Sequence, residues 1–197
     1  MIKAQVESIA KYAGVATTGI EWSALLFYYL KQPLYFGGKY PISYFATLPE
    51  TRWVFSLCYV LAAISFWIFT KHHLNRHYVV PTKTFGISLM LFAGTGLVPV
   101  DFNNTLSLAV HSALALSSGL LFLAGMYLMA KKSDDPKLFK GTITAIILSF
   151  GLTLAFLASP KGSHLIFSFE VGSWLMLQLW TIWVTLHIRS SERQSLH

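Results

Sequence analysis

Acidic residues are scarce and cysteine is nearly missing: 197 residues hold 8 Asp and Glu and a single Cys. Cys58 alone closes no intrachain disulfide, so a disulfide-stapled scaffold is excluded and the redox compartment cannot be read from it. It reads as a small core residue. Charge of either sign is thin, 12% of residues against roughly 25% in a soluble domain. No internal repeat, low-complexity tract or separate polar domain interrupts the chain. The net charge of +7 therefore has no polar domain with which to grip nucleic acid.

What is present is hydrophobicity: 54% apolar residues, a mean hydropathy of +0.55 and 15% aromatics, the last suited to belts of Trp and Tyr at two interfaces. A hydrocarbon core of about 30 Å needs about 20 helical residues. Six stretches qualify: Tyr12 to Leu30, Trp53 to Thr70, Thr84 to Val100, Asn104 to Ala130, Leu138 to Ala158 and Leu165 to Ile188. Without water each span must satisfy its own backbone, which leaves helices or closed barrels. Hydrophobicity here is continuous rather than alternating, which favours helices. Pro33, Gly37, Gly38, Pro41, Pro49, Pro81, Pro99, Pro136, Pro160 and Gly162 punctuate the gaps. The expected fold is all-α, one transmembrane domain over residues 1–197 with six helices.

Eleven of the 15 Lys and Arg fall at the two termini and in the second and fourth connections. Lys31, Lys39, Arg52 and Lys161 lie on the other side. The positive-inside rule then makes both termini cytoplasmic and turns the connections at 31–52, 101–103 and 159–164 outward. The first span carries Glu21 and lacks a convincing small-residue cleavage site, so it reads as a retained helix. The expected location is the plasma or inner membrane.

Polar residues at bilayer depth cost a few kcal/mol or more if charged, so they face the bundle interior and find partners. Glu21 and Gln178 fall near the middles of their spans. His111 and Glu170 each stand about two turns inside the outer end of a helix. In "LVPVDFNNTLSLAVHSALALSSG", Pro99 ends one helix, Asp101 to Asn104 turn outward, and Asn103 or Asn104 caps the next helix. Ser107, Ala115, Ser118 and Gly119 share the face of His111, a small polar stripe suited to close helix approach. Glu170, Ser173, Gln178 and Thr181 form its counterpart.

Three readings of this cluster stand side by side. In the structural one, Glu170 hydrogen-bonds His111 and fixes the register of the bundle. In the second, an outward-facing polar pocket takes a lipid headgroup or small amphiphile: His111 and Glu170 orient it, Asp101 stands at the mouth, and Glu21 with Gln178 forms the floor. In the third, Asp101, His111, His164 and Glu170 supply metal ligands for a hydrolase, although their spacing matches no compact motif such as HExxH. The lipid-binding reading needs no cofactor. Membrane lipids are its expected partners, and an accessory subunit of a membrane complex or a homo-oligomer is the structural alternative. "KHHLNRH" (71–77) reads as a cytoplasmic anchor or an anionic-lipid contact. Ser43 reads as a turn residue, and "WLMLQLWTIW" (174–183) as a packing or lipid-facing surface.

The order of "PISYFATLPETRWVF", "GTGLVPVD", "VHSALALSSGLLF" and a last span bearing Glu170 and several tryptophans resembles a prokaryotic six-helix membrane family of unknown function, related to the group containing the DRAM and Sfk-like proteins. The resemblance spans nearly the whole chain. The family pattern of an Ile-Ser-acidic outer segment, a Pro-x-Asp turn and a following His falls on Ile42 and Ser43, on Pro99 and Asp101, and on His111, with Tyr44 where the acidic residue is expected. It implies a connection with lipid organisation or remodelling, a fold-level analogy that names no reaction.

Overall fold

The computed structural model describes residues 2–36, 38–98, 100–160, 163 and 165–194, with side chains from 9 to 190 within those limits. Among them, six long helices and one short 3-10 turn account for the regular structure. The helices are α1 (Ile2–Lys31), α2 (Arg52–His77), α3 (Thr82–Leu97), α4 (Thr105–Lys131), α5 (Pro136–Ala158) and α6 (Ile166–Gln194); the 3-10 turn, Ile42–Ala46, stands between α1 and α2. Pro99, expected to end a helix, and Gly37, Lys161, Gly162 and His164 lie outside the described residues.

Local chemistry explains several ends. Asn104 caps α4, its Oδ1 accepting from the amides of Leu106 at 3.0 Å and Ser107 at 3.2 Å. Asp135 caps α5 in the same way through the amides of Lys137 and Leu138, and Pro136 follows where a missing N–H costs nothing. α2 runs past Thr70, where its apolar stretch ends, because a π turn at Thr70–Leu74 carries the helix through "KHHL".

Four helices, α2, α4, α5 and α6, are long and apolar enough to cross a membrane. By length and composition these make the chain a membrane protein. α3 has 16 residues, about 24 Å at 1.5 Å per residue, and α1 carries Lys3, Glu7, Lys11 and Glu21 among its 30 residues. Neighbours in sequence run antiparallel and pack in chain order, and α6 returns to α1, so the helices close into a ring. Contact is broad at α1–α2, α2–α3, α3–α4 and α5–α6, and thinner at α4–α5 and α6–α1.

Two cores fill the ring. The inner one takes residues from all six helices, including Ala13, Phe66, Phe85, Met126, Leu138 and Trp180. The outer one is built by α1, the 3-10 turn, the start of α2 and the start of α6, with Tyr28, Ile42, Phe45, Phe55, Tyr59 and Phe167 at its centre. α4 and α5 contribute nothing to it.

Candidate functional site

The outer end of the bundle gathers most of the polar residues singled out by sequence. Glu170, in the second turn of α6, accepts a hydrogen bond through Oε2 from the backbone N–H of Ile42 at 2.5 Å. The bond ties the 3-10 turn to α6. Ser173 closes the same turn by donating to the Glu170 carbonyl at 2.9 Å. Among the described residues nothing bonds to Oε1 of Glu170.

His111 occupies the outer third of α4, buried to 5% exposure, with its ring hydrogen-bonded to the Thr95 backbone of α3 and facing Phe55 at 6.2 Å. Its Nδ1 is buried and has no partner among the described residues. The expected bond between His111 and Glu170 is not formed among the described residues. Each side chain instead takes a backbone partner. Between them lie stacked Phe55 and Tyr59, ring centroids 4.5 Å apart, and Tyr59 feels both Glu170 and Glu21 electrostatically.

Glu21 and Gln178 do come together: the Gln178 amide donates to Glu21, and the Gln178 carbonyl accepts from the Trp22 indole N–H at 2.7 Å. The pair joins α1 to α6, where backbone packing is thin. Asp101 is exposed, and its Oδ1 accepts from the Asn103 amide at 2.9 Å in the turn before α4. No three His, Cys, Asp or Glu side chains converge as a metal set among the described residues. The small-residue stripe on α4 has the expected consequence, since Ser118 and Ser88 exchange hydroxyl-to-carbonyl bonds at 2.9 and 3.0 Å across α3–α4.

Sequence reasoning missed an aromatic cap over this end. Tyr44, noted only as a departure from an acidic position, packs on Tyr40 at 4.3 Å, Tyr35 at 5.1 Å and Phe102 at 5.8 Å. Burial, then Tyr35 and Tyr40, holds its hydroxyl above the usual tyrosine range, so it stays a neutral donor. The aromatic richness of residues 35–45 is the signal that pointed there. A small polar depression lies beside the cap, lined by Ala46, Arg52, Ser56, Gly96, Leu97 and Val98. Ser43 sits in the 3-10 turn. Within "WLMLQLWTIW", Trp180 is buried with its N–H on Thr142 Oγ1 at 3.0 Å, and Trp183 stacks on His187. This run packs.

Helical ring and polar outer end together define the chain as an α-helical membrane protein with buried polar side chains along its inner face. No protein-family model matches it, and no curated protein or solved structure matches it significantly.

Proposed function

We propose that the chain is a six-span protein of the plasma or inner membrane, both termini cytoplasmic, that holds the polar end of a lipid or small amphiphile at the outer end of its bundle. The observation that carries this reading is Nδ1 of His111, a buried ring nitrogen without a hydrogen-bond partner among the described residues. Leaving such a group unmade costs about 1–3 kcal/mol, which a ligand donor would recover. Glu170 Oε1 is the second open acceptor. A site of acceptors selects a head that donates, a glycerol hydroxyl or an ammonium, over a bare phosphate. Glu21 with Gln178 braces the floor, Asp101 shapes the mouth, and the cap around Tyr44 covers it. α1, which carries the charged Lys3, Glu7, Lys11 and Glu21, and α3, short at 16 residues, cross within the ring formed with the other four. The resemblance to a six-helix membrane family of unknown function, some of whose relatives are linked to lipid organisation, points the same way.

The test is native mass spectrometry of protein extracted in mild detergent. A retained lipid that is lost on His111→Ala and weakened by Glu170→Gln supports the site; retention equal to wild type in both variants overturns it. A stoichiometric second protein in place of lipid supports the accessory-subunit reading, which α5, the least buried of the four membrane-capable helices, favours.

A further inference from the structure

One face of α4 changes character along its length. Ala115, Gly119, Phe122 and Met126 follow at i, i+4, i+7 and i+11 and therefore share that face. At the inner end Met126 is fully buried, and Phe122 packs on Phe66, Phe85 and Trp180. One turn outward, a Cβ on Gly119 would meet nothing within 4 Å, and Ala115 beyond it is exposed. α5 repeats the gradient: Leu138 and Thr142 are fully buried, Ser149 bonds across to α6, and Thr153 and Phe156 on that same side are only half-buried. The outer core draws on neither helix. α4 and α5 thus pack on each other at their inner ends, where residues 132–135 connect them, and open from each other outward. Each keeps its other neighbour: His111 of α4 still faces Phe55, and Leu152 of α5 still lies against Gly172 of α6. Trp174 of α6, on Tyr59 and Phe92, is likewise only half-buried.

The geometry points to a lateral slot between the outer halves of α4 and α5 that takes one hydrocarbon chain of an outer-leaflet lipid. This rests on the orientation and headgroup reading above and adds the place where the lipid's tail lies. Three features select that occupant. The slot opens sideways between two membrane-capable helices, where bilayer lipid is what it meets. Its α4 wall is small, Ala115 and Gly119, its α5 wall is Thr153 and Phe156, and His111 stands one turn outward of Ala115, so a mostly apolar trough leads toward a polar side chain as an amphiphile requires. It closes at its inner end on the packed floor of Phe122 and Trp180, which suits a flexible chain.

The test uses the full-length protein in nanodiscs of palmitoyl-oleoyl phosphatidylethanolamine and phosphatidylglycerol doped with a phosphatidylethanolamine that carries a photoactivatable diazirine in its acyl chain. Cross-links are mapped by peptide mass spectrometry. We expect them concentrated on 112–119 and 150–157, with far fewer on the lipid-facing side of α2 at Leu57, Leu61 and Ile64. Gly119→Leu, whose side chain enters open space and leaves the fold intact, should lower the slot cross-links several-fold; Ala115→Leu is the second filling variant. Labelling spread evenly over all lipid-facing helices, labelling unchanged in both filling variants, or a dimer that shields α4 and α5 overturns the slot. The headgroup reading fails separately: lipid lost on His111→Ala with slot labelling indifferent to Gly119→Leu keeps the head site and removes the slot, and the converse pattern keeps the slot alone.

Discussion

Gln178 reaches from α6 to α1 and binds two neighbours in sequence at once, donating to the Glu21 carboxyl and accepting the indole N–H of Trp22 at 2.7 Å. Glu21 and Gln178 are both nearly buried, whereas Trp22 is 44% exposed, so the bridge spans the seam from interior to lipid side. Few backbone contacts hold that seam.

The bridge predicts an order of effects. Gln178→Leu removes both partners and leaves a buried carboxyl unmatched, which should cost about 1–3 kcal/mol. Glu21→Gln keeps an acceptor for the Gln178 amide and should cost less. Unfolding in mild detergent, followed by tryptophan fluorescence, ranks the two; equal losses would mean that the bond itself contributes little.

Two glycines separate close approach from open surface. A Cβ on Gly96 would lie 2.4 Å from Cβ of Tyr59, and Ser56 donates to the Gly96 carbonyl at 2.6 Å, so α2 and α3 touch through that missing side chain. Gly96→Ala should destabilise by about 1–3 kcal/mol through overpacking. Gly151 has nothing within 4 Å, and Gly151→Ala should be neutral or stabilising by up to about 1 kcal/mol through helix propensity. Paired unfolding curves check both signs.

The positions of the helices were legible because a hydrophobic run of span length has few other solutions, and the α4 cap was readable to within Asn103 or Asn104 because Asn before an apolar run has a specific task; the structure selects Asn104. Helix ends were less so. "KHHL" interrupts hydropathy without interrupting backbone bonding, so α2 outlasts its apolar run by two turns. Partners within the site were not legible: equal depth brought Glu21 to Gln178 but left Glu170 and His111 on backbone groups, because depth fixes height in the bundle and not the rotation of each helix. The slot was invisible for a related reason. It depends on which helices the outer core omits, a property of packing around the 3-10 turn and not of any one segment.

At the opposite end, Asp135 caps α5 and meets His187 Nε2 at 2.5 Å. Partial burial raises its pKa, but the bonds from His187, Leu138 and Lys137 outweigh it, so the carboxyl lies below its ordinary value. An acid depressed in the folded state adds stability above its unfolded pKa of about 3.9 and loses it as pH falls through the lower folded value. Asp135→Asn keeps a good cap and removes the titrating group, so its stability should change less than wild type as pH falls below about 4. Asp135→Ala also loses the cap, about 1 kcal/mol at neutral pH. Unfolding midpoints from pH 7 downward test both; an unaltered acid slope in Asp135→Asn would remove Asp135 as its source.

Glu170 serves the outer end in two separable ways, through the Oε2 bond to Ile42 and through the open Oε1. Hydrogen exchange reads the first: Glu170→Ala frees the Ile42 amide and should speed exchange across Ile42–Ala46 about fivefold or more, the factor that about 1 kcal/mol provides. Glu170→Gln retains an oxygen for Ile42 and should leave most of that protection in place. The second role is read by lipid retention. Because Gln offers one acceptor where Glu offers two, Glu170→Gln can satisfy the backbone or the ligand but not both. Near-normal exchange with reduced lipid retention in Glu170→Gln would assign Oε1 to the ligand. Normal exchange with full retention would confine Glu170 to bracing the turn, and His111 alone would then carry the headgroup.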